Sequence, residues 1–129
     1  MTDAPERGMI QVLIADDQRV VREGLSMLVA LIDDVEVVGT ACDGAEAGRL
    51  AEEHRPDVVL MDLRMPGMGG LELQHRLSRD GHRVPIIVLS AHAGEEARVR
   101  AMQAGAVAFL QKPFDNEMLL GTIESVRRR

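Results

Sequence analysis

Five polar residues follow short apolar segments of the sequence, at the points where those segments end. They are Asp16, Asp17, Asp62, Ser90 and Lys112. Carboxylates a few ångströms apart repel each other, and a hard divalent cation with oxygen ligands is their natural neutraliser. An ammonium group and a hydroxyl can hold the oxygens of a phosphoryl group. A carboxylate in such a site can attack phosphorus and form an acyl phosphate.

The position of each residue indicates its part in this chemistry. Asp62 is the predicted nucleophile, because it stands alone after its segment and close to the glycine-rich stretch 67–70. Asp16 and Asp17 are predicted to hold the metal. Mg²⁺ is the expected ion, because it takes one or two carboxylates and leaves positions for phosphate oxygens. Lys112 is the only lysine among 15 basic residues, which makes its place after an apolar segment notable.

Short apolar segments alternate with segments of helical periodicity along the whole chain. The apolar segments predict five strands, at residues 10–15, 35–40, 57–61, 85–89 and 106–110. Near-continuous apolar strands are typical of a parallel sheet that is covered on both faces. The pattern therefore predicts an α/β fold of five βα units, with the ligand site beyond the carboxyl ends of the strands.

The predicted helices differ in how clearly their buried faces can be read. The first carries a stripe of Val21, Leu25, Leu28 and Ile32, and the second is predicted to begin at a cap formed by Asp43 with Glu46. The apolar positions of the other three are small or sparse. They are Leu73 and Leu77 in the third, Ala97, Ala101 and Ala104 in the fourth, and Leu119, Ile123 and Val126 in the fifth.

Composition bounds the class of protein. The 129 residues suit one domain, and no apolar run is long enough to cross a membrane. A single cysteine, Cys42, cannot form an internal disulfide and fits a reducing compartment, so we expect a cytoplasmic protein. A net charge of −6, with no Trp and no Tyr, makes direct nucleic-acid binding by this chain improbable.

Four motifs, in this order, resemble those of the response-regulator receiver domains of two-component signalling, the CheY-like domains. They are Ala15-Asp16-Asp17, residues 60–68, Leu89-Ser90-Ala91 and Gln111-Lys112-Pro113-Phe114. The resemblance covers about residues 9–127 of a single domain, 1–129. It implies a doubly wound (βα)5 flavodoxin-like sandwich, with a five-stranded parallel sheet in the order 2-1-3-4-5.

The resemblance also implies a role for each site residue. Asp62 would accept a phosphoryl group from a sensor histidine kinase, and Lys112 would pair with that group. Mg²⁺ would be held by Asp17, Asp62 and the backbone carbonyl of Arg64, with Asp16 helping directly or through water.

Three further residues would take part in a two-state switch or in its geometry. Ser90 would move toward the phosphoryl group, and Phe109, at the family's switch aromatic, would change rotamer with it. Pro113 would follow a cis peptide bond that places the lysine. The shift would involve the fourth and fifth predicted helices and the strand between them, and we expect a homodimer on phosphorylation.

The first half resembles receivers of the NarL/FixJ type, which usually precede a LuxR-type helix-turn-helix domain. The segments that carry this resemblance are 12–18, 21–25 and 35–39. We therefore expect the receiver part of a DNA-binding transcriptional regulator. Its output domain would be absent from this chain, and DNA would be contacted only through that domain.

Three alternatives stay open at this point. The chain could be a stand-alone receiver that acts through protein contacts, or a pseudo-receiver that never takes phosphate. It could also be a small Mg²⁺-dependent aspartyl phosphohydrolase. That last reading is disfavoured because Arg64, and not a second carboxylate, stands two residues after Asp62. The expected chemistry is self-directed phosphoryl transfer and autodephosphorylation, not the turnover of an enzyme.

Overall fold

The structure is a computed structural model that describes residues 9–62, 84–90, 95–103, 106–111 and 115–127. Several residues singled out in the sequence lie outside these ranges. They include Arg64, Lys112 and Pro113, together with Leu73 and Leu77 of the third predicted helix and Ala104 of the fourth.

The described residues form one parallel sheet of five strands. The strands are β1 (Ile10–Ala15), β2 (Val35–Ala41), β3 (Val58–Asp62), β4 (Ile86–Ser90) and β5 (Ala108–Gln111). Every neighbouring pair is parallel, and the order is β2-β1-β3-β4-β5. The predicted α/β class and the flavodoxin-like strand order are confirmed.

The strands end where the hydrogen-bonded ladder ends, and not always where the apolar pattern does. The bounds of β1 are as predicted, whereas β3 and β4 each lie one residue further along. Asp62 and Ser90 are therefore the last residues of their strands, and not the first residues after them. As ladder members, their backbones are held by the sheet and their side chains start from defined positions.

Four helices in the described ranges cover the two faces of the sheet. They are α1 (Arg19–Ala30), α2 (Gly44–His54), α3 (Glu95–Gln103) and α4 (Asn116–Arg127), the last two being the fourth and fifth predicted helices. Val29 of α1 and Leu119 of α4 are buried in one apolar cluster, the α1–α4 core. Ala51 of α2 and Ala101 of α3 are buried in the other, the α2–α3 core. The result is a three-layer sandwich whose two cores lie on opposite sides of the sheet.

A β-bulge in β2 changes the face of the sheet on which alternate side chains of that strand lie. Val12 pairs with Val37 but Leu13 pairs with Gly39, so one residue of β2 is left over between them. Before the bulge, Val35 and Val37 contribute to the α1–α4 core. After it, Ala41 is buried in the α2–α3 core. Without the bulge, side-chain alternation would place residues 35 and 41 on the same face.

In two helices the buried residues and the N-cap can be compared with the prediction from the sequence. In α1, Leu25 and Val29 are buried, while Leu28 is only partly so. The predicted stripe was therefore wrong by one residue at that turn, because a period of 3.6 lets either position face the sheet. In α2, the predicted cap is confirmed, since the side chain of Asp43 accepts the N–H of Glu46 at 2.8 Å.

Among the described residues, no helix combines the length and the apolar character needed to cross a bilayer.

Candidate acidic site at the carboxyl edge of the sheet

The turn after β1 is held by three hydrogen bonds to one residue, Asp16. Its N–H donates to the carbonyl of Ala41 at 3.0 Å, which extends the pairing of β1 with β2. Its Oδ1 accepts the N–H of Gln18 at 2.9 Å, as in an Asx turn. Its carbonyl accepts from Nη1 of Arg22 at 2.8 Å. Asp16 is 1% exposed, so this turn holds a carboxyl group in the protein interior.

Three carboxylates meet at this edge of the sheet. Asp16 is buried, Asp17 is exposed and Asp62 is half-buried, and one oxygen from each lies within 4.8 Å of the other two. The parallel ladder causes the meeting, because Ala15 pairs with Met61 and the next residue of each strand is an aspartate. Like charges at this distance repel by about 1 kcal/mol per pair even at the dielectric constant of water, and by more where water is excluded.

The arrangement fits a small divalent cation. All three donors are carboxylate oxygens, which suit Mg²⁺, Ca²⁺ or Mn²⁺ and not the metals that prefer nitrogen or sulfur. Oxygens on opposite sides of a Mg²⁺ ion lie about 4.2 Å apart, so a group spanning at most 4.8 Å needs only small adjustments. The exposed carboxylate of Asp17 leaves the site open on one side.

Ser90 lies at the same edge, on the strand next to β3. Asp62 pairs with Leu89, so Ser90 is one residue further toward the carboxyl edge. Ser90 is 2% exposed, and it is paired in turn with Gln111, the last residue of β5. Lys112, which follows Gln111 in the sequence, is outside the described residues, as are Arg64 and Pro113. The structure therefore places four of the eight predicted site residues at this edge, describes Phe109 elsewhere in β5, and does not describe Arg64, Lys112 and Pro113.

Phe109 lies in β5, opposite Val88, and its side chain is partly buried. It packs against the α2–α3 core, whereas the next residue, Leu110, is buried on the other face of the sheet.

The corner after β2 lies at the same edge but has a structural role. Glu46 accepts the N–H of Cys42 at 2.9 Å, and this bond is the first cause that lowers the pKa of Glu46. The pKa of the Cys42 thiol is raised, chiefly by its side-chain hydrogen bond with Glu46 and also by the negative charges of Glu46 and Asp43. Among the described residues, the group whose ligand atoms lie within 4.8 Å of one another consists of Asp16, Asp17 and Asp62 and does not include Cys42.

The contact of Arg22 with the turn after β1 was missed by reasoning from the sequence. In the sequence Arg22 is one of many arginines on amphipathic segments, where a solvated position is the usual expectation. A signal was available, because a residue in the first turns of a helix can fold back over the loop that precedes it.

Comparison with known proteins agrees with this geometry. The family model described as "Response regulator receiver domain" matches residues 12–124. The transcriptional regulatory protein YhcZ of Bacillus subtilis, itself called uncharacterized, is 43% identical over 113 residues. Those residues cover 88% of this chain and 53% of YhcZ. The response regulator GacA of Pseudomonas aeruginosa is 39% identical, with 92% of this chain and 55% of GacA covered.

A solved structure shows the same architecture. The signal receiver domain of NarL from Mycobacterium tuberculosis superposes with a TM-score of 0.83 at 34% identity. The match covers 94% of this chain and 98% of that domain. This chain thus spans about half the length of the curated relatives that it matches, and nearly all of an isolated receiver domain.

Proposed function

We propose that this chain, which belongs to the response regulator receiver domain family, is a phosphorylation-dependent switch whose phosphoryl acceptor is Asp62. One observation carries the proposal. The carboxylate of Asp62 is half-buried at the end of a strand, with oxygens of Asp16 and Asp17 within 4.8 Å. A cation held there offsets the mutual repulsion of the three groups, and the same positive charge attracts a phosphoryl donor.

The proposed donor is the phosphohistidine of a sensor histidine kinase. An oxygen of Asp62 attacks phosphorus, and the bond from phosphorus to the imidazole nitrogen breaks as the new bond forms. The electron pair of the broken bond returns to the imidazole, which takes up a proton from solvent. The product is an acyl phosphate on Asp62, a covalent mark that water can later hydrolyse.

Mg²⁺ is the proposed cofactor. When bound, it neutralises charge on the phosphoryl oxygens during transfer. Asp16, Asp17 and Asp62 would hold it with the backbone carbonyl of Arg64, and Asp16 could act directly or through water. Lys112 would hold a phosphoryl oxygen as a point charge, and a cis peptide before Pro113 would place it.

The proposed response to phosphorylation begins at Ser90. Its hydroxyl would turn toward the phosphoryl group, and the side chain of Phe109 would follow by changing rotamer. Both residues lie on the β4–β5 half of the sheet, in strands adjacent to each other. The movement would therefore reach α3 and α4, which flank β5 in the sequence, and would alter the surface they present.

Intact-mass spectrometry tests the acceptor directly. The protein is incubated with Mg²⁺ and a small acyl-phosphate donor, as wild type and as Asp62→Asn. We expect one added phosphoryl group in the wild type only, and its loss on treatment with hydroxylamine. Asp33→Asn, which removes an exposed carboxylate in the turn after α1, is the matched control and should be phosphorylated like the wild type. Equal labelling of Asp62→Asn would overturn the assignment.

We further propose that the chain is the receiver part of a transcriptional regulator and forms a homodimer when phosphorylated. The support is that it spans about half of relatives named as transcriptional regulators. DNA would then be contacted only by the output domain. Sedimentation velocity before and after phosphorylation tests the dimer, and an unchanged profile would remove it. The reading frame beyond codon 129 tests the output domain.

The second candidate is a receiver that acts alone through protein contacts. Both candidates would signal through binding, and their phosphoryl chemistry would be directed only at themselves. In this they differ from an enzyme that turns over a substrate. Multiple turnover of a small phosphate ester would instead favour an aspartyl phosphohydrolase.

A further inference from the structure

Arg22 closes the turn that carries Asp16 and Asp17, two of the three carboxylates of the acidic site. Its side chain donates from Nη1 to the carbonyl of Asp16 at 2.8 Å, in a partly buried position. Its own N–H donates to the carbonyl of Gln18 at 3.0 Å. The side chain of Arg22 thus bonds to Asp16 and its backbone to Gln18, the two ends of the segment 16–18. We call these two hydrogen bonds the clasp.

The bond to Asp16 lies just beyond the last paired residues of β1 and β2. The Asp16 N–H still donates to the carbonyl of Ala41, but the β1–β2 ladder ends at the pair Ala15–Ala41, so the Asp16 carbonyl is beyond its last pair. Buried carbonyl groups need hydrogen-bond donors, and a guanidinium is a strong one. Arg22 therefore contributes order at the residue where the backbone leaves the sheet and enters the acidic site.

The guanidinium group of Arg22 has a different kind of partner from that of Arg19, which lies one turn earlier on the helix. Arg19 has a side chain 80% exposed and forms an ion pair with Glu23. Among the described residues, Arg22 forms no ion pair, although carboxylates lie close by; its guanidinium bonds a main-chain carbonyl instead. Its positive charge also reaches Cys42 at the end of β2, where it opposes the raised pKa of the thiol.

We propose that Arg22 is a positioning residue of the acidic site. It holds the turn 16–18 in the conformation in which the carboxylates of Asp16 and Asp17 face Asp62. The role is exerted through the backbone of Asp16 and not by contact with metal or phosphoryl group. It rests on the metal site proposed above.

Electrostatics and positioning make opposite predictions for the loss of this arginine. A positive charge near a site for a divalent cation repels the cation, so its removal would by Coulomb's law tighten metal binding. Loss of the clasp would instead let the two aspartates depart from the geometry that binds the ion, and would weaken binding. The sign of the change in Mg²⁺ affinity therefore separates the two effects.

Isothermal titration calorimetry with Mg²⁺ measures that sign. Arg22→Met keeps the aliphatic stem and removes charge and donors, and Arg19→Met makes the same change one turn earlier on the same helix. For Arg22→Met we expect binding weaker by about tenfold, the lower range for groups that orient metal ligands. Arg19→Met should bind as the wild type does or slightly tighter. Arg22→Lys, with the charge kept and the planar fork lost, should fall between.

A second measurement needs no metal. The Gln18 N–H, which donates to Oδ1 of Asp16, reports the closed turn. Its hydrogen exchange in the metal-free protein should be faster in Arg22→Met than in the wild type, and unchanged in Arg19→Met. A merely structural role elsewhere in α1 would lower the melting temperature without this local change.

The outcomes distinguish this inference from the proposed function. A wild type that binds no Mg²⁺ overturns the metal site, while exchange at Gln18 still tests the clasp. A wild type that binds Mg²⁺ beside an Arg22→Met variant of equal or tighter affinity, with unchanged exchange, overturns the positioning role alone. If Arg22→Met does not fold, Arg22→Lys against Arg19→Lys decides the same question.

Discussion

Asp16 and Asp62 lie side by side at the carboxyl edge of the sheet, one residue beyond the paired residues Ala15 and Met61. Asp16 is buried and Asp62 is half-buried, so two carboxylates share an environment in which water only partly screens them. Such a pair lowers the stability of the protein unless a cation joins it. The effect of this repulsion on stability can be measured.

Removing the charge of Asp62 should stabilise the metal-free protein. In Asp62→Asn the repulsion from Asp16 and from Asp17 is relieved, by about 1 kcal/mol for each of the two pairs. For a chain of 129 residues the sum corresponds to a rise in melting temperature of about 8 °C. Thermal unfolding followed by far-UV circular dichroism, with chelator present, measures the change.

Mg²⁺ should reverse the order of the two melting temperatures, so that the wild type becomes more stable than Asp62→Asn. A ligand that binds only the folded state stabilises it, so the ion should raise the melting temperature of the wild type more than that of Asp62→Asn. Asp33→Asn serves as control and should respond to Mg²⁺ as the wild type does. An equal response of wild type and Asp62→Asn would contradict a metal site at these residues.

The cap of α2 should contribute a pH-dependent part of the stability. The backbone hydrogen bond from Cys42 lowers the pKa of Glu46. A group whose pKa is lower when folded contributes stability above its unfolded pKa and loses it as the pH falls through the folded one. The difference in unfolding free energy between wild type and Glu46→Gln should therefore shrink as the pH falls through the acidic range.

Two variants frame that measurement, which is made by denaturant unfolding at several pH values. Asp43→Ala removes the N-cap acceptor and should cost about 1 kcal/mol at neutral pH. Glu53→Gln changes an exposed carboxylate on the same helix, in an ion pair with Arg49 at 3.7 Å, and should change stability little. A Glu46→Gln difference that stays constant with pH would refute the linkage.

Two helical glycines should be replaceable with a gain in stability. A Cβ added at Gly24 of α1 or at Gly121 of α4 would meet nothing within 4 Å. Alanine favours a helix over glycine by about 1 kcal/mol, so Gly24→Ala and Gly121→Ala should each stabilise by about that amount. Urea unfolding monitored by circular dichroism is the suitable measurement, because the chain has no Trp and no Tyr.

Gly39 provides the contrast. It lies in β2 beside the bulge, where an added Cβ would stand 3.4 Å from a side-chain carbon of Leu13. Gly39→Ala should gain less than either helical variant, because no helix propensity is involved and the added methyl touches the core. A gain as large as that of Gly24→Ala would mean that unfolded-state entropy, not helix propensity, controls all three.

Replacement of Lys112 by arginine should not preserve the switch. A guanidinium is a planar fork and not a compact point charge, so Lys112→Arg should be phosphorylated without forming the dimer. Sedimentation velocity of the phosphorylated protein measures this. Arg98→Lys, an exposed exchange in α3, should behave as the wild type. Normal dimerisation of Lys112→Arg would show that charge alone is sufficient.

Much of the fold was predictable because it depends on patterns that are local in the chain. The segment Ile10–Ala15, apolar except for Gln11, predicted β1 to the residue, since a strand buried on both faces is almost wholly apolar. Asp43 and Glu46 predicted the start of α2, because a cap is satisfied within one turn. One detail differs, since Glu46 accepts from Cys42 and not from the cap residue itself.

The sequence by itself predicted the candidate site residues, since their types and their places after apolar segments show in one dimension. It also determined the class of fold and, by resemblance, the order of the strands. Only the tertiary structure decided how the carboxylates differ in burial, where β2 bulges, and that Arg22 bonds the Asp16 carbonyl. These features depend on contacts between segments far apart in the chain, or on which of several close rotations a helix adopts. Neither is encoded in a local pattern, and both emerge when the two faces of the sheet are packed.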